Sequence, residues 1–441
     1  MPLEDRFGLA LSTSNAAAAA DYIAAVDLML SANAGAEALF ERALAADPEF
    51  ALAHVAKARL CQVQARMPEA KTAASEARAL AGRVTPREAQ HIETIALAID
   101  GNGPQAMALL TEHIAEHPRD ALALSLALGV FGLLGFSGRI DHHEAQLGLL
   151  ESLAPHWGED WWFLTYLGWA RIELGDVARG AAEVERALAG NPRNAFAAHA
   201  RAHGHFEGGD AEGGAGFIEA WLPEYDRASQ LHCHLSWHLA LFELARDNPG
   251  RVRALYTDAI RPSVSQAPPL FNLADAASLL WRWRIYEVGE AGRELDFWAE
   301  VATHARQHFP RAGIHFADVH AALAEGAAGD GDAAERRVGD SRARHDAGRL
   351  PQGPVVPELC AGAAAFARGD YPGAIARLGG ALPELARIGG SHAQREVFED
   401  TYIVACLRAG ERDKAAARLA ARLARRPSAR DERWLAEASR T

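Results

Sequence analysis

The chain has 441 residues, 49% of them apolar, and a formal net charge of −13. Its length calls for several domains or an elongated repeat array, and abundant alanine with sparse Val, Ile and Thr favours helices over sheets. An acidic balance with no basic stripe excludes nucleic acid on charge grounds, and no run of about 18 apolar residues is present to span a membrane.

The start, Met1-Pro2-Leu3-Glu4-Asp5-Arg6, lacks the basic and apolar regions of a signal peptide. Ala16–Ala20 opens a short amphipathic helix. From there the chain repeats itself with a period of about 34 residues. Asp47-Pro48, His117-Pro118 and Asn191-Pro192 each follow one Ala-rich helix and precede another. Proline ends a helix but suits the entry to the next. Ala36–Ala46 is the second half of one unit, Ala51–Gly82 a full unit, and Gly103–His117 ends a third. Ala121–Leu134 starts the next. Asp141-His142-His143-Glu144 has residue types that can bind metal, but it sits at a helix start, where Asp caps and Glu suits the dipole.

The clearest unit is Trp161–Arg193. It has Leu167-Gly168 in its first helix, Gly175-Asp176 at the turn, Gly180, Val184, Ala187 and Leu188 in its second, and Pro192 at its end. This resembles the tetratricopeptide repeat pattern. Ala195–Leu222 continues in register, and the glycine pairs Gly208-Gly209 and Gly213-Gly214 read as turns. Ser229–Ile260 and Pro269–His308 have longer helices and more aromatics. His304, His308, His315 and His320 are scattered in register and read as solvent-facing or structural. Glu325–Gly353, rich in Gly and Asp, carries the best loop signal in the chain, though part of it can be helical. Val355–Ala386 and Glu396–Arg425 return to the clean pattern. The arginines from Arg418 to Arg430 read as a solvated helix face.

The expected architecture is one all-α, right-handed solenoid over residues 1–441, made of ten to twelve hairpins and strongly curved around a concave pocket. Residues 1–150 form N-terminal repeats, 151–310 the histidine-rich middle repeats that line the pocket, 311–354 an irregular stretch and 355–441 C-terminal repeats. The repeat likeness implies which first-helix positions face the groove. They are Trp162, Thr165, Trp169 and Glu173 in one unit, then Phe196, His199, His203 and Phe206 or Glu207 in the next. His234 and His238 fit the same positions in the third unit, and Asp275 and Arg282 share a face in the fourth.

A closer resemblance lies in four ordered motifs. They are His199-Ala200-Arg201-Ala202-His203, the stretch from His234 to Leu241, the stretch from Asp275 to Arg282, and Gly390-Ser391-His392-Ala393-Gln394-Arg395-Glu396-Val397-Phe398. Together they resemble the tetratricopeptide repeat protein 38 family. The likeness implies a cytoplasmic helical-repeat protein and brings no substrate with it. Four separated cysteines without a CxxC pair also suit buried thiols in a reducing cytoplasm.

Three kinds of chemistry fit these residues. His199 with His203, and His234 with His238, are each four apart and so share a helix face. Two such pairs on neighbouring helices can hold tetrahedral zinc or an iron site, with Glu207 and Asp275 as ligand or support. No HExxH accompanies them. Without a metal, the same histidines and Asp275 can act as catalytic acids and bases, in hydrolase- or lyase-type chemistry near neutral pH. Arg282 and Arg395 then grip a small polar or anionic molecule, Trp162, Trp169 and Trp237 wall it, and the Gln394–Asp400 helix closes over it. In the third reading the concave groove binds a protein or peptide. Ser391 with His392 and Asp400 lacks a nucleophile elbow, so Ser391 reads as a helix cap.

Overall fold

The computed structural model describes residues 3–287 and 295–440. Among them the chain forms 23 α-helices and one two-stranded ribbon, Leu3–Glu4 antiparallel to Ala10–Leu11. Successive helices pack as hairpins, as in Ala51–Val63 with Met67–Leu80, Trp161–Glu173 with Val177–Gly190, and Val355–Ala367 with Tyr371–Ala381. The architecture is an all-α helical solenoid. No helix among the described residues is long and apolar enough to cross a membrane.

Local chemistry sets the helix boundaries. Thr85 and Glu88 form a reciprocal capping box ahead of Pro86–Ile99. Asp160 accepts from the backbone N–H of Trp162 and Phe163. Ser391 and Gln394 make a second capping box at the start of His392–Ala409, the capping role the sequence gives Ser391. Inside the Trp161–Gly190 hairpin, a Cβ added at Gly168 would lie 2.7 Å from the Gly180 carbonyl oxygen. The two helices are in backbone contact at that point.

Four sequence expectations need correction. Ala121–Leu134 is not a repeat helix: it holds one turn, Ala121–Leu124, and then an irregular stretch. Glu325–Gly353 is mostly helical, in the end of His315–Ala327 and in Gly331–Asp346, which Asp330 caps. Gly213 and Gly214 lie inside the Ala211–Trp221 helix, where the missing Cβ of Gly214 makes room for the Phe242 ring. The arginine run is not a solvated face, because Arg422 and Arg426 are buried against acids of a neighbouring helix.

The solenoid folds back on itself. Ala195 N–H donates to Ser31 O at 3.0 Å, and Tyr225 Oη–H donates to Ala32 O. Gln352 Nε2 donates to Phe136 O at 3.1 Å. Trp281 Nε1–H donates to Thr401 Oγ1 at 2.8 Å. The last of these holds the His392–Ala409 helix against Pro269–Ile285, and most residues of that helix are buried. Two large apolar clusters result, one running from Phe7 to Ala200 and the other from Ala202 to Ala438. The histidines of Ala195–Glu207 sit where the two meet.

Candidate metal centre

Four imidazoles converge from two helices. The Ala195–Glu207 helix supplies His199 and His203, and His232–Ala245 supplies His234 and His238. One ring nitrogen from each lies within 4.8 Å of the other three. His199 Nε2 is 3.0 Å from His203 Nε2 and 3.1 Å from His234 Nε2. The His238 ring centroid is 4.7–5.0 Å from the other three. His203 and His238 are fully buried and His234 nearly so.

Two carboxylates stand behind this cluster. His203 Nδ1 meets Glu173 Oε1 at 2.7 Å, and His234 Nδ1 meets Asp275 Oδ1 at 2.8 Å. Burial pushes Glu173 up, but His203, His392 and His143 outweigh it and hold the carboxyl well below its usual range. Ionised Glu173 only accepts, so His203 Nδ1 carries a proton, and in the neutral ring Nε2 then presents a lone pair. Asp275 as a carboxylate fixes His234 in the same way, although burial raises its pKa against the pull of His234.

Two lone pairs therefore aim at His199 Nε2, and a neutral His199 can offer one proton to only one of them. His238 has no hydrogen-bond partner on either nitrogen, both of them buried. Burial, reinforced by the neighbouring imidazoles, holds His199 and His238 well below the usual histidine range. With all rings neutral, at least one of the two lone pairs facing His199 Nε2 is left without a proton from it. A cation resolves that conflict. Tetrahedral zinc with bonds of about 2.0–2.1 Å places its donors about 3.3–3.4 Å apart, close to the separations from His199.

Other residues singled out in the sequence fall into three places. Trp237 stacks on His234, with centroids 5.1 Å apart, and donates from Nε1 to Ser278 Oγ at 3.1 Å. Arg282 lies over the Trp237 ring, donates to Ala393 O and is 3.5 Å from Asp400. Asp400 also accepts from Tyr286 Oη and Arg422, each at 2.6 Å. Gln394 accepts from Ser391 N–H at 3.0 Å. Glu207 is 3.4 Å from His392 Nδ1. Trp162 packs against Trp157 and Tyr166 in the N-terminal apolar cluster, whereas Trp169 lies 6.3 Å from the His203 ring.

Sequence reasoning gave three neighbours no place in the site. Glu173 was visible as a groove position but carried no role. His142 and His143 read as part of a helix start, yet Asp141 makes no capping bond and both rings are buried. His143 Nε2 is 3.7 Å from Glu173 Oε2. A second buried trio, His91, His113 and Asp120, also has metal-ligating types within reach. Arg87 Nη1 is 3.0 Å from the same Asp120 oxygen, so that trio is a neutralised ion-pair hub.

No family model matches the chain. Among solved structures it is similar to a monomeric mutant of IFIT1 with Gppp-AAAA, at 14% identity over 88% of this chain and 89% of that one, TM-score 0.45. It is also similar to the human IFIT1 dimer with m7Gppp-AAAA, at 14% identity over 70% and 67% of the two chains, TM-score 0.43. Likeness at that level extends to a helical-repeat architecture and supplies no ligand for this chain. The sequence expectation that nucleic acid is excluded does not stand, because the structures this chain is similar to were solved with m7Gppp-AAAA and Gppp-AAAA.

Proposed function

We propose that this chain is a metal-binding helical-repeat protein, with His199, His203, His234 and His238 as ligands to a divalent transition ion such as zinc or iron. One observation carries the reading: four imidazole nitrogens converge while carboxylates hold the far side of two rings. Imidazole suits zinc, copper, iron and nickel, and a carboxylate on the opposite ring nitrogen raises ligand basicity and fixes orientation. Four imidazoles fill a zinc tetrahedron, whereas six-coordinate iron keeps two positions for substrate. Of the enzyme readings, this favours metal-assisted chemistry over histidines acting alone. The peptide-groove reading is disfavoured because the four histidines gather in one mostly buried cluster. We also propose, on the four ordered motifs alone, kinship with the tetratricopeptide repeat protein 38 family.

The test is elemental analysis of purified protein, before and after incubation with zinc and with iron(II). The reading expects about one equivalent of tightly held ion. His203→Ala and His238→Ala should each lose it while far-UV circular dichroism stays unchanged. Absence of metal after both incubations, or full occupancy in both variants, overturns it.

A further inference from the structure

Three helix ends meet beside the histidine cluster. Glu173 is the last residue of Trp161–Glu173, Glu207 the last of Ala195–Glu207, and His392 the first of His392–Ala409. Glu207 stands four residues beyond His203, on the same helix face. One donor atom from each of Glu173, Glu207 and His392 lies within 4.8 Å of the other two. Glu207 Oε1 is 3.4 Å from His392 Nδ1, and Glu173 Oε2 is 4.0 Å from it. The His392 side chain is 26% exposed, so solvent reaches the group on that side.

The two glutamates occupy a costly place. A helix C-terminus carries partial negative charge, which disfavours acids and favours cations. Both side chains are buried, and carboxylates that close repel each other. Among the described residues Glu207 Oε1 accepts no hydrogen bond, and His392 Nδ1 has no hydrogen-bond partner; both atoms are buried. Glu173 Oε2 accepts the His392 backbone N–H at 2.9 Å, which uses one of its lone pairs and leaves another. Two arginines stand near. Arg425 Nε is 3.9 Å from the other Glu207 oxygen, Oε2. Arg395 feels both carboxylates, yet its Nη1 donates to the Gly389 and Gly390 carbonyls.

We propose that Glu173, Glu207 and His392 hold a second, exchangeable divalent cation of the manganese type. Carboxylates suit manganese, and the imidazole completes a mixed oxygen and nitrogen set. An ion at about 2.0–2.2 Å from each donor spans separations of up to about 4.4 Å, which covers both distances to His392. Three protein ligands leave open positions for water or a small molecule, which four imidazoles around zinc do not. Glu173 joins the two centres, because Oε1 holds the His203 ring and Oε2 faces the second ion. The second site shares that residue with the four-imidazole centre but does not depend on metal being bound there.

The experiment loads the full chain with one equivalent of zinc, then titrates manganese(II) and follows the free ion by electron paramagnetic resonance. The wild type should bind about one manganese with a dissociation constant below about 0.1 mM. Glu207→Gln keeps the shape without the charge, and His392→Ala removes the imidazole. Each should weaken binding by at least about tenfold, since loss of a group that merely supports a ligand already costs about 10–100-fold. Either variant serves if the other fails to fold by circular dichroism. No manganese bound at that limit, as a plain Glu207–His392 ion pair requires, or equal affinity in all three proteins, overturns the proposal. Zinc content of the same samples separates the two centres. Zinc retained without manganese binding sinks the second site alone, and manganese binding without retained zinc sinks the four-imidazole centre alone.

Discussion

Glu173 divides its two oxygens between a histidine one repeat away and a backbone N–H 219 residues away in sequence. Replacing it with Gln keeps the shape but removes the charge that fixes the His203 tautomer. Competition against a chelator should show metal affinity falling by about 10–100-fold in Glu173→Gln; unchanged affinity would mean the carboxylate only packs. Asp120 offers a second test. Burial pushes its pKa up, but His91, His113 and Arg87 outweigh this and hold it well below the carboxylate range. A depressed folded-state pKa adds stability that is present above the unfolded value of about 3.9 and is lost as pH falls through the folded value. Asp120→Asn should therefore lower the urea midpoint clearly at pH 7, with a gap to wild type that narrows below about pH 4. A pH-independent gap would assign Asp120 a purely packing role. At this scale the paired histidines were legible, because four-residue spacing on a helix is a local signal. Glu173, His143 and Trp169 were not legible as a unit, since only the way the solenoid closes brings them together.

The Trp161–Glu173 helix carries Trp169 and Glu173 on a turn whose position depends on backbone contact at Gly168 and Gly180. A Cβ at Gly180 would meet the Gly168 carbonyl oxygen and the Ile172 side chain. Gly180→Ala should cost about 1–3 kcal/mol and push Glu173 away from His203. Calorimetry should show a lower melting temperature and elemental analysis a weaker hold on metal. A stability loss with metal retention would show that the helix shifts without moving Glu173. The sequence showed this hairpin clearly because its small residues fall at fixed repeat offsets. It hid the Gly331–Asp346 helix, whose Gly and Asp content mimics a loop. There Asp330 accepts from Ala333 N–H as a cap, and Arg337, buried among Asp318 and Glu325, anchors the helix by charge.

At the scale of the molecule, the closed form depends on buried charge as well as apolar contact. Arg422 reaches Glu396, Asp400 and Asp431 at 3.2, 2.6 and 2.9 Å, all of them buried. Removing one partner of such a network leaves charges stranded in a dry place. Arg422→Ala should destabilise by roughly 3–5 kcal/mol, read as a lower denaturant midpoint; a surface-like loss under about 0.5 kcal/mol would show that the arginine is solvated after all. Overall architecture was legible because the 34-residue period survives in most units. The buried role of the arginines was not, because their partners lie on the helices before and after and sequence alone reports the arginines as one charged stripe.

The placement of the His392–Ala409 helix has a temporal consequence. The four imidazoles lie between residues 199 and 238, whereas the N–H that completes Glu173 arrives with residue 392. At about 5–20 residues per second, a ribosome needs roughly 8–30 seconds to cover that gap. Throughout that interval Glu173 lacks its His392 N–H partner. Translation therefore makes the four imidazoles before the residue that completes the hydrogen bonding of Glu173.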